Sequence, residues 1–373
     1  MEPTNTTSAL KKKATELGFS LCGVCPAISP PGAARLDEWL SAGFAGEMKY
    51  LHDRREAYDD PDRVLHGVRS IVMLAMNYRT ADPVAPGLGQ GRVSRYAWSD
   101  IDYHDLIRPR LNILADFLSQ RIPIAKSRGI IDTAPLLERD FAVLAGLGWV
   151  GKNTLLLNKH HGSWFFLAAL LTDAVLDYDS LYETDHCGTC RACLDACPTA
   201  AFPQPYVLDA SRCISYLTIE LRSAIPHELR SGMEDWVFGC DVCQEVCPWN
   251  SRSPHSDEPR CEPRADSNPL DLIALFKLDD AAFRARFRNT PLWRPRRRGL
   301  LRNAAIVLGN HPTATAVPAL ACGLNDDESL IRGACAWALG RYSEPAAFCA
   351  LELRLTVETD ASVRREIEHA IEA

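Results

Sequence analysis

The feature that most constrains this chain is a group of eight cysteines between positions 187 and 247. The first four have the spacing C-x2-C-x2-C-x3-C-P, the last three have C-x2-C-x3-C-P, and one stands alone between them. In order they are Cys187, Cys190, Cys193, Cys197, Cys213, Cys240, Cys243 and Cys247. Iron takes soft thiolate ligands, and a tight loop presents several of them on one side. The spacing therefore predicts iron–sulfur centres.

The count of thiols predicts two four-iron, four-sulfur (4Fe-4S) clusters, each with four thiolate ligands. In ferredoxin-type sequences with this spacing, three close cysteines hold one cluster and the fourth reaches the other. We assign one cluster to Cys187, Cys190, Cys193 and Cys247, and the second to Cys197, Cys213, Cys240 and Cys243. Zinc is the alternative, because C-x2-C pairs also occur in zinc sites. A third cysteine at the same gap followed by Cys-Pro favours iron–sulfur.

The N-terminus begins with a polar stretch and a helical pattern rather than an apolar export signal. This predicts a reducing, cytoplasmic location, in which thiols stay available for metal. A second cysteine pair, Cys22 and Cys25, lies within an apolar run. Core packing is favoured there over a redox pair, because free cysteine is usually a small buried hydrophobic residue.

A length of 373 residues predicts two or three domains. The fold class expected is a multidomain α+β or α/β protein with ferredoxin-like and α-helical repeat parts. The N-terminal domain is expected to carry ligands on loops at its strand ends. We place the domains at 1–178 (α/β), 179–255 (ferredoxin-type, two clusters) and 256–373 (a basic segment and HEAT-like repeats).

Apolar patterns predict the main elements of the N-terminal domain. Helices are expected over 7–18, 33–58 and 135–145, with a further amphipathic helix up to about residue 114. Strands are expected over 19–24, 68–76, 129–132, 154–157 and 164–171. The region 251–268 is rich in proline, serine and charge and is expected to be a linker or an irregular segment.

Asp132 has two interpretations at the end of its predicted strand. Before Thr133, Ala134 and Pro135, an aspartate is often a helix N-cap or an Asx turn, and the pattern alone favours that interpretation. The alternative is a proton donor facing a cofactor crevice, kept protonated by burial. Two interpretations also apply to the nearby Tyr96, Tyr103 and His104: they either pack at the surface or belong to a functional site.

An arginine segment and a repeat follow the cysteines. Residues 284–302 contain eight arginines and no acidic residue: Arg284, Arg286, Arg288, Arg294, Arg296, Arg297, Arg298 and Arg302. A solvated face is the ordinary explanation, but the interleaved Phe283, Phe287 and Trp293 favour a contact with an RNA phosphate backbone. Thereafter NAAIVLGN at 303 is matched by ACAWALGR at 334, which predicts stacked helical pairs of the HEAT type.

At this point the whole chain resembles the epoxyqueuosine reductases, cobalamin-dependent iron–sulfur enzymes that perform the last step of queuosine synthesis in tRNA. The resemblance rests on DTAPLLERDFAVLAGLGWVGKNTLL from Asp132, RYAWSDIDYHDLI from Arg95, DVCQEVCPWN from Asp241, the eight cysteines and the helical tail. It implies an N-terminal cobalamin domain fed with electrons by the clusters. It also implies that Asp132 donates a proton to the epoxide oxygen, and this shifts the preferred interpretation of Asp132 to a catalytic acid.

The resemblance further implies cobalamin contacts at Lys152, Asn153, Ser215, Thr218 and Asp241. The chain lacks the D-x-H-x-x-G motif that supplies a histidine to cobalt, so no protein imidazole is expected beneath the corrin. The partners implied are a tRNA with epoxyqueuosine in its anticodon loop and an electron donor of the flavodoxin or ferredoxin type. No membrane association is expected, and the chain is expected to be a monomer.

Two other functions compete with this one. A related cobalamin iron–sulfur reductase acting on a small molecule, such as a reductive dehalogenase, typically has an export signal and lacks a basic solenoid. A non-enzymatic electron carrier with a HEAT arm would bind no corrinoid and would not need a large N-terminal domain. Both are therefore less favoured than epoxyqueuosine reduction.

Overall fold

The computed structural model describes residues 3–372. Its strands are β1 (Leu21–Pro26), β2 (Ser70–Asn77), β3 (Gln90–Val93), β4 (Ser127–Ile130), β5 (Trp149–Val150), β6 (Leu156–Leu157), β7 (Phe165–Thr172), β8 (Trp236–Phe238) and β9 (Leu270–Asp271). Its helices are α1 (Pro3–Glu16), α2 (Ala33–Ser41), α3 (Lys49–Asp53), α4 (Tyr103–Arg121), α5 (Glu138–Leu144), α6 (Ala192–Asp195), α7 (Ile214–Ile219), α8 (His227–Arg230), α9 (Val242–Glu245), α10 (Leu272–Leu275), α11 (Asp280–Phe287), α12 (Arg296–Asn310), α13 (Val317–Gly323), α14 (Ser329–Leu339), α15 (Pro345–Val357) and α16 (Ala361–Glu372).

The N-terminal domain is organised around a four-stranded sheet in the order β1-β2-β7-β4, in which every neighbouring pair is antiparallel. All eight residues of β2 are buried, because helices cover both faces of the sheet. Val72 and Leu74 pack on one side with residues of α1 and α4, while Ile71 and Met73 pack on the other with residues of α5. The mixed fold class is confirmed, in its α+β form.

All five predicted strands are present within two residues of their expected bounds. The helix expected over 33–58 is wrong, because the chain turns at Gly43 and Gly46, which have φ angles of +76° and +56°. A Cβ atom at Gly46 would lie 2.4 Å from the hydroxyl of Tyr216, so glycine is required there. The short β6 pairs with β5, whereas β7 belongs to the central sheet.

A second sheet joins the three parts of the chain. In the order β8-β3-β9, a strand from the N-terminal half lies between one from the cysteine region and one that precedes the C-terminal helices. The central strand β3 pairs in parallel with β8 and antiparallel with β9. Phe238, Leu217 and Leu300 share one continuous core, so the cysteine region and the C-terminal helices are packed together. The irregular segment expected after residue 250 is confirmed, and Thr80 holds it by a 3.0 Å hydrogen bond to the Cys261 carbonyl.

The C-terminal helices form the predicted repeat. The matched segments lie in α12 and α14, which pack on each other, and α14 in turn packs on α16. Between α14 and the end of α15, Arg332 and the buried Glu358 form an ion pair at 2.8 Å. In residues 3–372 no helix combines the length and apolarity needed to cross a membrane.

Candidate active site

Asp132 lies in a loop that leaves β4 and reaches α5. Its φ angle is +45°, in the left-handed region, and its N–H donates to a carboxylate oxygen of Glu138 at 2.9 Å. The N-cap interpretation is wrong, because α5 begins at Glu138 with Leu137 as its cap residue. The Asp132 side chain is 40% exposed, so the burial considered for it is not present.

The Asp132 carboxylate belongs to a network with the first turn of α4. Tyr103 donates its hydroxyl hydrogen to Oδ2, and Nε2 of His104 lies 2.8 Å from Oδ1. On the far side of the ring, Nδ1 of His104 lies 2.6 Å from a carboxylate oxygen of Asp102. Asp102 is also the N-cap of α4 and accepts the His104 N–H at 3.0 Å. The helix cap thereby fixes the imidazole against Asp132.

The electrostatics of this network place its proton on His104. Burial alone would lower the pKa of His104, but the hydrogen bonds and charges of Asp102 and Asp132 outweigh it and raise the pKa to about 9. At neutral pH the imidazole is therefore a cation that donates to both carboxylates. Burial and the charge of Asp132 raise the pKa of Tyr103 above its usual range, so its hydroxyl stays protonated.

An aromatic wall supports the network. The ring of Tyr103 stacks on Phe166 of β7, with centroids 4.6 Å apart and an interplanar angle of 9°. Tyr96 meets Tyr103 edge-on at 6.1 Å and also contacts Phe238 of β8. In this segment Tyr96 therefore has a packing role, whereas Tyr103 and His104 form hydrogen bonds with Asp132.

The first predicted cysteine set lines one cavity of about 200 Å³. Its wall includes Cys187, Cys190, Cys193 and Cys247, together with Lys152, Asn153 and Trp249. Burial raises the pKa of the Cys193 thiol to about 11, with smaller contributions from the charges of the other three thiols. These four thiols therefore face one cavity, where soft donors would be available to an iron–sulfur cluster.

The thiols of the second predicted set influence one another electrostatically. Burial raises the pKa of Cys240 and Cys243 well above the usual range, and in both cases the charge of Cys213 adds to the effect. The charge of Cys197 likewise raises the pKa of Cys213 and of Cys243. The charge of Cys193 in the first set also raises the pKa of Cys243. The soft donor atoms and their grouping fit two 4Fe-4S clusters.

Comparison with known proteins identifies the family. Family models match at residues 59–133 (Epoxyqueuosine reductase QueG, DUF1730), 186–250 (4Fe-4S double cluster binding domain) and 297–372 (HEAT repeats). An epoxyqueuosine reductase of Pseudomonas aeruginosa is 40% identical over 348 residues, which cover 92% of this chain and 96% of that protein. The Escherichia coli enzyme is 37% identical, with coverage of 93% and 92%.

The chain belongs to the epoxyqueuosine reductase family.

Solved structures of this family have the same fold. One, an epoxyqueuosine reductase with a tRNA-Tyr epoxyqueuosine-modified stem loop, has a TM-score of 0.93 and 31% identity, covering 99% of this chain and 98% of that one. A Bacillus subtilis epoxyqueuosine reductase, solved with its catalytic aspartate loop swung out of the active site, has a TM-score of 0.91 and 30% identity, with coverage of 99% and 98%. The predicted family, enzyme class and repeat domain are therefore confirmed.

The enzyme is thus an oxidoreductase that reduces epoxyqueuosine to queuosine in tRNA, with two 4Fe-4S clusters and cobalamin as its cofactors. This function decides against the small-molecule reductase and the non-enzymatic carrier. Both ring nitrogens of His104 are engaged by carboxylates.

The residues predicted to contact cobalamin lie between the N-terminal domain and the cysteine region of this reductase. Lys152 donates to the carbonyls of Gly188 (2.5 Å) and Cys190 (2.9 Å), and Asn153 donates to the carbonyl of Cys243 (3.3 Å). Both residues therefore hold cysteine loops. Ser215 is partly buried in α7. Direct contact of these residues with cobalamin stays a prediction.

Two of the predicted contact residues have buried side chains with partners inside the chain. Thr218 is 0% exposed; its hydroxyl donates to the Ile214 carbonyl at 2.7 Å and accepts the Gly239 N–H at 2.9 Å. Asp241 is 2% exposed and accepts hydrogen bonds from the Ser94 hydroxyl and the Arg95 N–H. These bonds tie the cysteine region of the reductase to the aromatic segment.

The arginine segment is not one surface. Arg302 is 1% exposed and donates to the carbonyls of Leu217, Leu221 and Ser223, so the prediction that it contacts RNA is wrong. Arg297 pairs with Asp326 at 2.5 Å. The exposed members are Arg284, Arg288, Arg294, Arg296 and Arg298.

Acidic residues from other segments pair with several of these arginines. Arg286 pairs with Asp266 and Arg294 with Glu220. The absence of acids from the segment itself therefore does not make it an unbroken cationic surface.

Proposed function

We propose that Asp132 transfers a proton to the epoxide oxygen of epoxyqueuosine and is reloaded by His104. The observation that carries this proposal is the position of His104, whose protonated ring lies between Asp132 and Asp102. Asp132 is the exposed end of the network and faces the substrate side, while His104 is the proton store behind it. Tyr103 orients the carboxylate through its second oxygen.

The overall reaction takes up two electrons and two protons, and one water leaves as the epoxide becomes an alkene. Bound cobalamin, supplied with electrons through the clusters, provides the reducing chemistry at the epoxide. The chain's own residues supply the protons. The first converts the opened epoxide oxygen to a hydroxyl, and the second lets that oxygen leave as water. Asp102 stays ionised and stabilises the His104 cation throughout.

For the clusters we propose the ligand sets Cys187, Cys190, Cys193 and Cys247, and Cys197, Cys213, Cys240 and Cys243. Among the eight thiols, Cys190 is the exposed one. This supports electron entry at the first cluster from a donor of the flavodoxin or ferredoxin type. The second cluster would then pass electrons toward the N-terminal domain.

For cobalamin we propose direct contacts from Lys152 and Ser215, whose side chains are only partly buried. Asn153, Thr218 and Asp241 are buried, and we propose that they act by holding the loops around the cofactor. This division is supported by their hydrogen bonds, which run to backbone groups of the cysteine region and the aromatic segment.

We propose that the substrate is a tRNA with epoxyqueuosine in its anticodon loop, as in the stem-loop complex of the related reductase. We also propose that the Asp132 loop moves, as in the Bacillus subtilis relative. Such movement would break the hydrogen bonds of Asp132 to Tyr103 and His104. A cytoplasmic location follows from the tRNA substrate.

We propose a monomer with three domains at 1–178, 179–255 and 256–373. The family-model ranges support the division, since each falls within one domain.

The test is an anaerobic assay of wild type and Asp132→Asn with cobalamin, a strong reductant and a tRNA stem loop containing epoxyqueuosine. Asn keeps the size of the side chain but cannot hold the transferable proton. We expect wild type to form queuosine and the variant to lose at least about 1000-fold in turnover, with the cluster and cobalamin absorbance unchanged. Wild-type turnover by the variant would remove Asp132 from the proton path.

A further inference from the structure

Trp149 is a buried tryptophan next to the first cysteine set. It is 3% exposed and lies in β5, where it is paired with Leu157 of β6. One small packed cluster consists of Trp149, Leu157 and Cys247, and the side chain of Cys187 packs against it. Leu157, Cys187 and Cys247 also line the cavity of about 200 Å³ that the first set of thiols faces. Trp149 therefore lies directly behind the wall of that cavity.

The indole N–H of Trp149 is a buried donor without a protein acceptor. Within residues 3–372, its Nε1 atom makes no hydrogen bond. Trp98 shows the ordinary arrangement, because its indole N–H donates to the Val93 carbonyl at 2.7 Å. An indole nitrogen can only donate, and leaving it buried and unpaired costs free energy. Such a group in a folded protein calls for an explanation, for which a redox role is one of the usual reasons.

Aromatic rings enclose Trp149 on its other sides. Its ring centroid lies 4.8 Å from that of His186 and 5.2 Å from that of Trp249. The ring of Tyr182 stacks on it at 5.8 Å, with an interplanar angle of 26°. His186 and Trp249 line the same cavity as the thiols. These rings keep the surroundings apolar, and a hydrogen bond to a charged acceptor is stronger there than in water.

We propose that the indole N–H of Trp149 donates a hydrogen bond to a sulfur of the first 4Fe-4S cluster, on the side of Cys247, and so raises the reduction potential of that cluster. Reduction adds negative charge, part of which lies on the sulfurs, so a donor to sulfur stabilises the reduced form more than the oxidised form. This inference rests on the proposed ligand set of the first cluster and adds a residue outside that set. The effect makes the first cluster a better acceptor for an electron that enters beside the exposed Cys190.

The test is a redox titration of the anaerobically reconstituted holoenzyme, followed by electron paramagnetic resonance of the reduced clusters. Trp149→Phe keeps an aromatic ring but removes the donor. We expect the equilibrium constant for reduction of one cluster to fall about ten-fold, which is about 59 mV for a one-electron couple. The equilibrium constant of the other cluster should change by less than about two-fold.

Two controls separate the hydrogen bond from packing. 3-Benzothienylalanine at position 149 has the shape of tryptophan with sulfur in place of the N–H, and it should lower the potential as Trp149→Phe does. It also covers the case in which the Phe variant folds poorly. Trp337→Phe makes the same change in α14, where the ring lies beside Arg230 and Arg341, and it should leave both potentials as in wild type.

The outcomes that contradict the hydrogen bond are specific. Unchanged potentials with both substitutions at position 149 would overturn it. A fall with Trp149→Phe that the benzothienylalanine variant does not share would be a packing effect and would overturn it as well.

A separate variant tests the ligand set on which the inference rests. Cys247→Ser should alter the resonance signal of the first cluster, and two unaltered signals would remove Cys247 from the ligands. The titration uses no tRNA and no turnover, so its result is independent of the role of Asp132. Failure of the hydrogen bond is therefore distinguishable from failure of the proposed function.

Discussion

The Asp132 network and the arginine segment are both charged regions, and they are built in opposite ways. In the network, Asp102, Tyr103 and His104 come from the N-terminal end of α4, and Asp132 comes from a distant loop. Hydrogen bonds join these four side chains. The arginine segment is continuous in sequence, but the fold separates its members. Arg302 enters the core, Arg297 pairs with Asp326, and Arg294 pairs with Glu220.

The difference teaches that charge in a sequence has no fixed role before its partners are known. The cation at His104 is stabilised by two carboxylates. The cation at Arg302 is surrounded by carbonyl oxygens and the Asn303 side chain, and burial lowers its pKa to about 9. The His104 cation therefore has a role in the proposed proton transfer, whereas the Arg302 cation stabilises the fold. Three substitutions test this contrast.

The largest effect is expected from Arg302→Met. It leaves the carbonyls of Leu217, Leu221 and Ser223 buried without donors, since these accept from the guanidinium at 2.5–2.9 Å. The free energy of unfolding should fall by about 3 kcal/mol, measured by anaerobic denaturant unfolding of the holoenzyme. The control is Arg288→Ala, an exposed arginine, which should change it by less than about 0.5 kcal/mol. Equal stability of the two variants would contradict a structural role for Arg302.

The next effect is expected from His104→Gln. It keeps a hydrogen-bonding side chain but removes the proton store, so turnover should fall about 100-fold. In wild type, turnover should also fall as pH rises through about 9, where His104 loses its proton. The variant should lack this alkaline decline.

The stability of wild type should follow the same pH window. The pKa of His104 is raised on folding, so the stabilising charge is fully present below its ordinary value, about 6.5, and is lost as pH rises through about 9. Difference unfolding curves of wild type and His104→Gln between pH 6 and pH 10 measure this. A stability difference that does not shrink with rising pH would refute the protonated form.

The smallest effect is expected from a double change, Arg296→Ala with Arg298→Ala. Both side chains are exposed, and Arg296 lies over the Trp293 ring at 4.2 Å beside a cavity of about 340 Å³. KM for tRNA should rise about five-fold, and the salt dependence of binding should become shallower. Arg297→Ala is the matched comparison: it should reduce stability by about 1 kcal/mol and leave the salt dependence as it is. If Arg297→Ala instead kept its stability and made the salt dependence shallower, Arg297 would belong to the RNA-binding surface.

Much of the candidate site follows from local patterns. The two cysteine sets were predicted from spacing alone, because a cluster loop must present its thiols within a few residues of each other. The buried strand β2 and the helical repeat were predicted for a similar reason, since a continuous apolar run and a repeated unit are both local features. The sequence does not join Tyr103 and His104 to Asp132, because 29 and 28 positions separate them.

The sequence by itself determined the number and spacing of the thiols, the helical repeat and the resemblance to a family. Only the tertiary structure decided which charges meet. The antiparallel pairing of β4 with β7 carries the Asp132 loop toward Phe166 and the first turn of α4. The packing of the segment before α12 against α7 pairs Arg294 with Glu220. Such contacts join residues far apart in the chain, so no local spacing encodes them, and they arise only when the separate cores pack.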